Sequence, residues 1–231
     1  MKRQSVGLFG VVLLIGSTGF GTVAHAATVA CGQVITQDTV LDTDVGPCPG
    51  NGIIIGASNI TLDLGGHTIF GSPSTPTPPY LDHLQGQPSN FNGIFIDRPY
   101  SGVVIRNGSV RGFGDGVTVY RSSGNTLERL VAGDNRCNGI RLQGTQYEPA
   151  TNNLVRENVV TRNGCAGIGL RQSTQSNTVE RNAVFANAGP GVRVQPAGFL
   201  VNGSNNRVRH NHIHQNGADG VEVWGPALFI N

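Results

Sequence analysis

Gly139-Ile140-Arg141-Leu142, then Asn153-Leu154-Val155-Arg156-Glu157-Asn158-Val159-Val160, then Asn163: this stretch decides the fold, because the chain repeats it. It returns as Gly167-Ile168-Gly169-Leu170, Asn177-Thr178-Val179-Glu180-Arg181-Asn182-Ala183-Val184 and Asn187. It returns again as Gly191-Val192-Arg193-Val194, Asn206-Arg207-Val208-Arg209-His210-Asn211-His212-Ile213 and Asn216. The apolar residues alternate with a period of two and never fall at helical spacing. A repeat in the low twenties built from such alternation specifies a solenoid of short strands.

Coil-starting glycines can be placed at Gly52, Gly93, Gly116, Gly139, Gly167, Gly191 and Gly220, with spacings of 41, 23, 23, 28, 24 and 29. The long spacings mark insertions. A Pro/Ser/Thr-rich stretch at 72–92 follows Thr68-Ile69-Phe70. Thr145–Pro149 and Pro196–Leu200 each follow a Gly-Ile/Val-x-Leu/Val strand. Repeat proteins carry insertions on one face, often the binding face.

Each coil is expected to close a loop of three short strands and to stack on the next at about 4.8 Å, so that six coils make a rod of roughly 30 Å. Val117/Val119, Ile140/Leu142, Ile168/Leu170, Val192/Val194 and Val221/Val223 then point inward. Asn135, Asn163, Asn187 and Asn216 form a corner column. There, side-chain amides can link coil to coil while tolerating a left-handed backbone. Outside, Glu128, Arg156, Glu180 and Arg209 alternate in sign down one stack, and Arg129, Glu157, Arg181 and His210 down its neighbour. Such pairs stabilise adjacent strands modestly.

Residues 1–26 read as a signal peptide: Lys2 and Arg3 precede the apolar run Val6 to Ile15, and Ala24-His25-Ala26 supplies a cleavage site. That run is too short to span a bilayer and no later one is long enough, so a secreted chain with no membrane partner is expected. The leader also holds the two cations that give the chain its net charge of +2. The remaining residues are neutral overall, which argues against a nucleic-acid partner. Four cysteines in an exported chain favour disulfides. Cys31 and Cys48 bracket the segment before the first coil, where a solenoid edge needs a cap. Cys137 and Cys165 each lie two residues before a coil-starting glycine and are expected to stack within disulfide reach. At the far end, Pro226–Ile230 is a candidate to cover the last coil.

The opening Cys31-Gly32-Gln33-Val34-Ile35-Thr36, the phrase Ile60-Thr61-Leu62-Asp63-Leu64-Gly65-Gly66-His67-Thr68-Ile69 and the repeats resemble the exported bacterial right-handed parallel β-helix repeat proteins, the pectate-lyase-like superfamily, over Cys31 to Trp224. The resemblance implies an all-β, right-handed parallel β-helix solenoid of about six to seven coils: an N-terminal cap at 27–51, and the helix at 52–231 with its insertion at 72–92. The superfamily is similar in architecture to pectate lyases, polygalacturonases, alginate epimerases and lyases, phage tailspikes, and the β-helix protein that assists copper-site assembly in nitrous-oxide reductase. Fold does not fix function. Asp63 and His67 flank a Gly-Gly turn and are read as hydrogen-bonding the backbone there.

Polysaccharide-processing members carry their sites on one sheet face flanked by long turns. Here that face is the outer side of the Gly-Ile/Val-x-Leu/Val strands. One column holds Phe95, Thr118, Arg141, Gly169, Arg193 and Glu222. The next holds Asp97, Tyr120, Gln143, Arg171, Gln195 and Trp224. Guanidinium forks suit carboxylates and aromatic rings suit sugar faces. Asp97, Tyr120, Arg141, Arg171, Arg193, Glu222 and Trp224 are therefore the candidate substrate-binding residues, for a polysaccharide that includes anionic ones. An arginine near a bound uronate could also act as the base in β-elimination, as the pectate-lyase resemblance implies. A hydrolase needs two acids at short separation, and Asp97 and Glu222 lie coils apart. No cofactor is required by these residues, although Asp115, Asp134 and Asp219 before coil-starting glycines leave calcium as an option. His210, His212 and His214 alternate without an accompanying acid or cysteine. The reading is a non-catalytic binding or surface-structural module contacting polysaccharide, with a lyase or epimerase acting on uronate-containing glycans as the alternative.

Overall fold

The computed structural model describes residues 25–72, 91–195 and 205–224, together with the backbone of 229–230. The predicted leader up to residue 24, nearly all of the 72–92 insertion, and Pro196–Leu200 lie outside the described residues. One parallel sheet runs Gln33–Ile35, Ile53–Ile55, Asn92–Asp97, Asp115–Tyr120, Ile140–Gln143, Ile168–Arg171, Val192–Gln195 and Val221–Val223. Its last seven strands contain or follow the seven predicted glycines. A fourteen-stranded parallel sheet supplies the other two sides of each coil. His25–Ala27, partly inside the predicted leader, pairs with Thr39–Leu41 at one end of it. Phe229–Ile230 pairs with Arg207 and Val208 at the other.

The register is the predicted one. Val117, Ile140, Ile168, Val192 and Val221 are successive partners, as are Leu127, Val155, Val179 and Val208. All but Val221 are buried, and with Val110, Ala132, Val160 and Val184 from the third side they form one continuous core. Three separate strands per coil are present in the first two coils, from Gln33 to Gly71, and again from Leu154 onward. In Val104–Arg111 and Thr126–Gly133 the second and third strands are fused into one bent strand of eight residues.

Two features of the repeat have direct physical causes. A β-carbon at Gly167 would lie 2.5 Å from Val184 Cγ1 and 2.8 Å from Asn187 Nδ2, and Gly139 and Gly191 meet the equivalent groups of their own coils. Only glycine fits at these three positions. The asparagines build three ladders: Asn125–Asn153–Asn177–Asn206, Asn158–Asn182–Asn211 and Asn135–Asn163–Asn187–Asn216. In each, an amide oxygen accepts from the backbone N–H and the Nδ2 of the preceding rung. The left-handed backbone expected of these asparagines belongs instead to the residue before each one. Arg129, Glu157, Arg181 and His210 have φ between 51° and 57°, as do Asp134, Arg162, Ala186 and Gln215 within 54° to 55°. The ladder asparagines are locked by their amide bonds, so the bend falls on the exposed neighbour.

The alternating charge column is present and longer than expected. Asp63, Arg106, Glu128, Arg156, Glu180 and Arg209 stack in register. Arg106 donates to Asp63 at 2.8 Å, Arg156 to Glu128 at 2.5 Å and Arg209 to Glu180 at 2.7 Å. In the neighbouring column Arg129 and Glu157 are 3.8 Å apart. Asp63 also accepts from Gly65 N at 3.0 Å, the backbone role read from the Gly-Gly turn, whereas His67 Nδ1 lies 3.3 Å from Asp44. Both disulfides form: Cys31–Cys48 has a Cα separation of 5.4 Å and Cys137–Cys165 one of 4.4 Å.

Candidate binding face

The outer side of the eight-stranded sheet brings both predicted columns together. Phe95, Thr118, Arg141, Gly169, Arg193 and Glu222 are successive strand partners. Asp97, Tyr120, Gln143, Arg171 and Gln195 form the second column, and Trp224 N donates to Val194 O at the strand beyond. Period-two alternation alone puts these side chains on the face opposite the core.

The central part of this face is not a solvated row. Arg141 has no exposed surface and Tyr120 only 5%, while Thr118 and Gln143 are buried too. Arg141, expected among the substrate-binding residues of this face, is enclosed rather than open to solvent. Its Nη1 donates to Asp115 Oδ2 at 3.0 Å, in an ion pair with neither member exposed. Asp115 Oδ1 also accepts from Asn138 N at 2.9 Å and Asn138 Nδ2 at 2.8 Å. Burying a carboxylate and a guanidinium is tolerable only with such pairing. Asp115 is the partner of Arg141 that the sequence reading missed. It sits one residue before Gly116 and Arg141 two after Gly139, so the coil register already placed it level with Asn138 and next to that strand.

At the Asp97 end, Arg121 grips Asp97 through Nε and Nη2, at 2.8 Å to Oδ2, and its guanidinium lies 4.4 Å above the Tyr120 ring. Arg121 Nη1 also reaches Glu148 at 3.1 Å, and Arg98 binds the same carboxylate at 2.7 Å. Burial tends to lower the Arg121 pKa, and the Asp97 bond outweighs it, leaving the group above its usual value. Glu148 thus pins the Thr145–Pro149 insertion across the face, with Tyr147 on it 83% exposed. Asp97 is consumed by this clamp.

At the other end, Arg193 Nε donates to Glu222 Oε2 at 2.6 Å, and Trp224 Nε1 donates to Glu222 Oε1. Burial would raise the Glu222 carboxyl, but the Arg193 and Trp224 bonds hold it below its ordinary range. The Trp224 ring is fixed at its nitrogen and half exposed, at 52%. Four strands separate the strand of Asp97 from that of Glu222. At about 4.8 Å per strand they lie roughly 24 Å apart, beyond the ~10 Å limit for paired carboxylates in glycoside hydrolysis.

The calcium option does not fit. Asp115 is held by Arg141, Asp134 by Arg162 at 2.7 Å, and Asp219 lies four coils from Asp115. Among the described residues no three His, Cys, Asp or Glu side chains converge. His214 stacks on Phe185 at 5.1 Å, with His212 4.6 Å away. Among the described residues no helix is long and apolar enough to cross a membrane.

The family model for the right-handed β-helix region matches residues 38–196 and 92–224. The chain belongs to that family. Among solved structures it is similar to three mutants of the periplasmic alginate epimerase AlgG. A single mutant has a TM-score of 0.59 at 19% identity, over 83% of this chain and 38% of that one. A second single mutant gives 0.58 at 18%, over 86% and 47%. A double mutant gives 0.57 at 19%, over 87% and 48%. The chain spans less than half the length of these epimerase structures, and the likeness is one of fold. No curated protein matches the chain.

Proposed function

We propose that this right-handed β-helix is an exported module that contacts polysaccharide along the outer face of its eight-stranded sheet, as a binding or surface-structural element rather than an enzyme. Two disulfides support an oxidising compartment. The observation that carries the reading is the Arg193–Glu222–Trp224 cluster, a half-exposed indole braced on a surface that also bears Arg171 and Tyr147. A ring held in place stacks on a sugar at little entropic cost. The acids of the face support binding over chemistry, since Asp97, Asp115, Glu148 and Glu222 all accept from arginines.

Trp224 is the only tryptophan in the chain, so its fluorescence reports this face directly. Titration with pectate, alginate and neutral glucans is expected to change that emission for at least one polymer, and Trp224→Ala or Arg193→Ala to abolish retention on an affinity gel. Unsaturated product absorbing in the ultraviolet would favour the lyase reading, and a shift in the uronate epimer ratio the epimerase one. An emission unchanged by every polymer would remove the polysaccharide reading altogether.

A further inference from the structure

We propose that His212 and His214 form a two-point surface site for a late divalent transition ion, copper(II) or nickel(II), on a side of the rod other than the eight-stranded sheet. The proposal is independent of the polysaccharide reading. His212, Ile213 and His214 make the last described strand on the third side of the coils, paired with Ala183, Val184 and Phe185. Ile213 packs against the core. Alternation therefore turns both imidazoles outward, on residues about 6.6 Å apart along the strand. The two ring centres are 4.6 Å apart, with their planes inclined at 43°. His214 is held by its neighbour in the preceding coil, since its ring lies within 6° of parallel to Phe185 at 5.1 Å. His212 pairs with the small Ala183, is exposed and has room to turn.

These distances suit chelation. With metal–nitrogen bonds of about 2.0 Å and ring nitrogens about 1.2 Å from the ring centres, two imidazoles at right angles around one ion have centres about 4.5 Å apart. A tetrahedral angle spreads them to about 5.2 Å. The observed spacing matches the right angle, which is the geometry of tetragonal copper(II) and nickel(II) sites and not of tetrahedral zinc. Imidazole suits these ions, whereas calcium and magnesium take oxygen. The surroundings also permit a dication. Down the two outward columns that end at His212 and His214, the nearest ionisable side chain is Arg111, four strands away and roughly 19 Å along the rod. Arg209, on the strand before, is paired with Glu180 at 2.7 Å. His210 takes no part: it lies at the corner, with φ of 55°, outside the strand. Two protein ligands leave the other coordination positions to water, so the site docks an ion on the surface and does not cage it.

Calorimetry of the full chain with copper(II) and nickel(II) chloride in a non-coordinating buffer reads the site, and electron paramagnetic resonance of the copper complex counts the bound nitrogens. A strong equivalent with two equatorial imidazole nitrogens is expected. His214→Phe removes the ligand and keeps an aromatic ring on Phe185. It is expected to weaken binding by about 100-fold, the scale of losing one point of a two-point attachment, and to leave the metal-free thermal midpoint unchanged. His212→Gln is expected to weaken binding equally, and His210→Gln to change nothing. An affinity and nitrogen count intact in either His214→Phe or His212→Gln would overturn the proposal and place the ion elsewhere on the chain. So would a loss in His210→Gln as large as that in His212→Gln. The absence of any strong equivalent would overturn it too, the result expected if the two rings only pack.

Discussion

Truncating one rung of an asparagine ladder tests the geometry from which everything else descends. Asn163 is 1% exposed. Its Oδ1 accepts from Asn135 N at 3.1 Å and Asn135 Nδ2 at 3.0 Å, and its Nδ2 donates to Ala132 O at 3.0 Å and Asn187 Oδ1 at 2.8 Å. Asn163→Ala removes all four bonds, but the damage is uneven. Asn135 Nδ2 keeps Val110 O, and Asn187 Oδ1 keeps the backbone N–H of residue 163. The Asn135 N–H and the Ala132 carbonyl lose these partners inside the rod. At about 1–3 kcal/mol for each buried orphan, the cost is about 2–6 kcal/mol. For a chain of this size the middle of that range lowers the thermal midpoint by roughly 8–16 °C. Asn216→Ala is the internal control. Asn216 accepts the same two bonds from Asn187, at 3.1 and 2.9 Å, but is only half-buried at the last described rung, where water can replace it. Urea and thermal denaturation of both variants should place Asn163→Ala well below Asn216→Ala. Equal losses would mean that the ladders are a by-product of stacking and not its cause.

The buried pair on the candidate face gives a second expectation. Arg141→Met should destabilise the chain by about 3–5 kcal/mol by stranding the Asp115 carboxylate, whereas Asp115→Asn/Arg141→Met should recover most of that in urea midpoints; a double variant as damaged as the single would refute the pairing. A third concerns acid. Burial would raise the Glu128 carboxyl, but Arg156 and then Arg129 more than offset it, and the Arg162 bond lowers Asp134 outright. A folded value below the unfolded one gives stability that is complete above the ordinary carboxylate range, near 4, and is lost as pH falls through the folded values. The thermal midpoint should therefore be level from about pH 7 to 5 and fall below about 4, less steeply in Glu128→Gln; a midpoint that rises on acidification would contradict the column.

The sequence carried the fold because a solenoid repeats every local decision. One error in register would have shifted all columns at once, and the apolar, asparagine and charge columns agree independently. The left-handed corners were assigned one residue off for a chemical reason. Asparagine is the residue that commonly adopts that conformation, and nothing in Arg129, Glu157 or Arg181 announces it. The face was half legible. Alternation fixes which side of the sheet Arg141 takes, but not what lies over it, since cover comes from contacts distant in sequence. The pairing with Asp115 was within reach. A column comparison at equal offsets from the glycine does not reveal it, because this contact crosses from one offset to another.

What distinguishes this surface from an ordinary basic patch is where its positive charge is already spent. Arg121 is committed to Asp97 and Glu148, Arg193 to Glu222, and one nitrogen of Arg141 to Asp115. A polyanion attracted by loose positive charge would have to displace these carboxylates, which are tethered nearby and hold the geometric advantage of proximity. On the polysaccharide reading proposed above, recognition would use what the internal pairs leave over: the indole of Trp224 and the phenol of Tyr147. Those groups are fixed by the same pairs that consume the charge, so ordering them on binding costs little. On that reading the ion pairs set the shape of the face, and a ligand would be chosen by fit to the remaining rings.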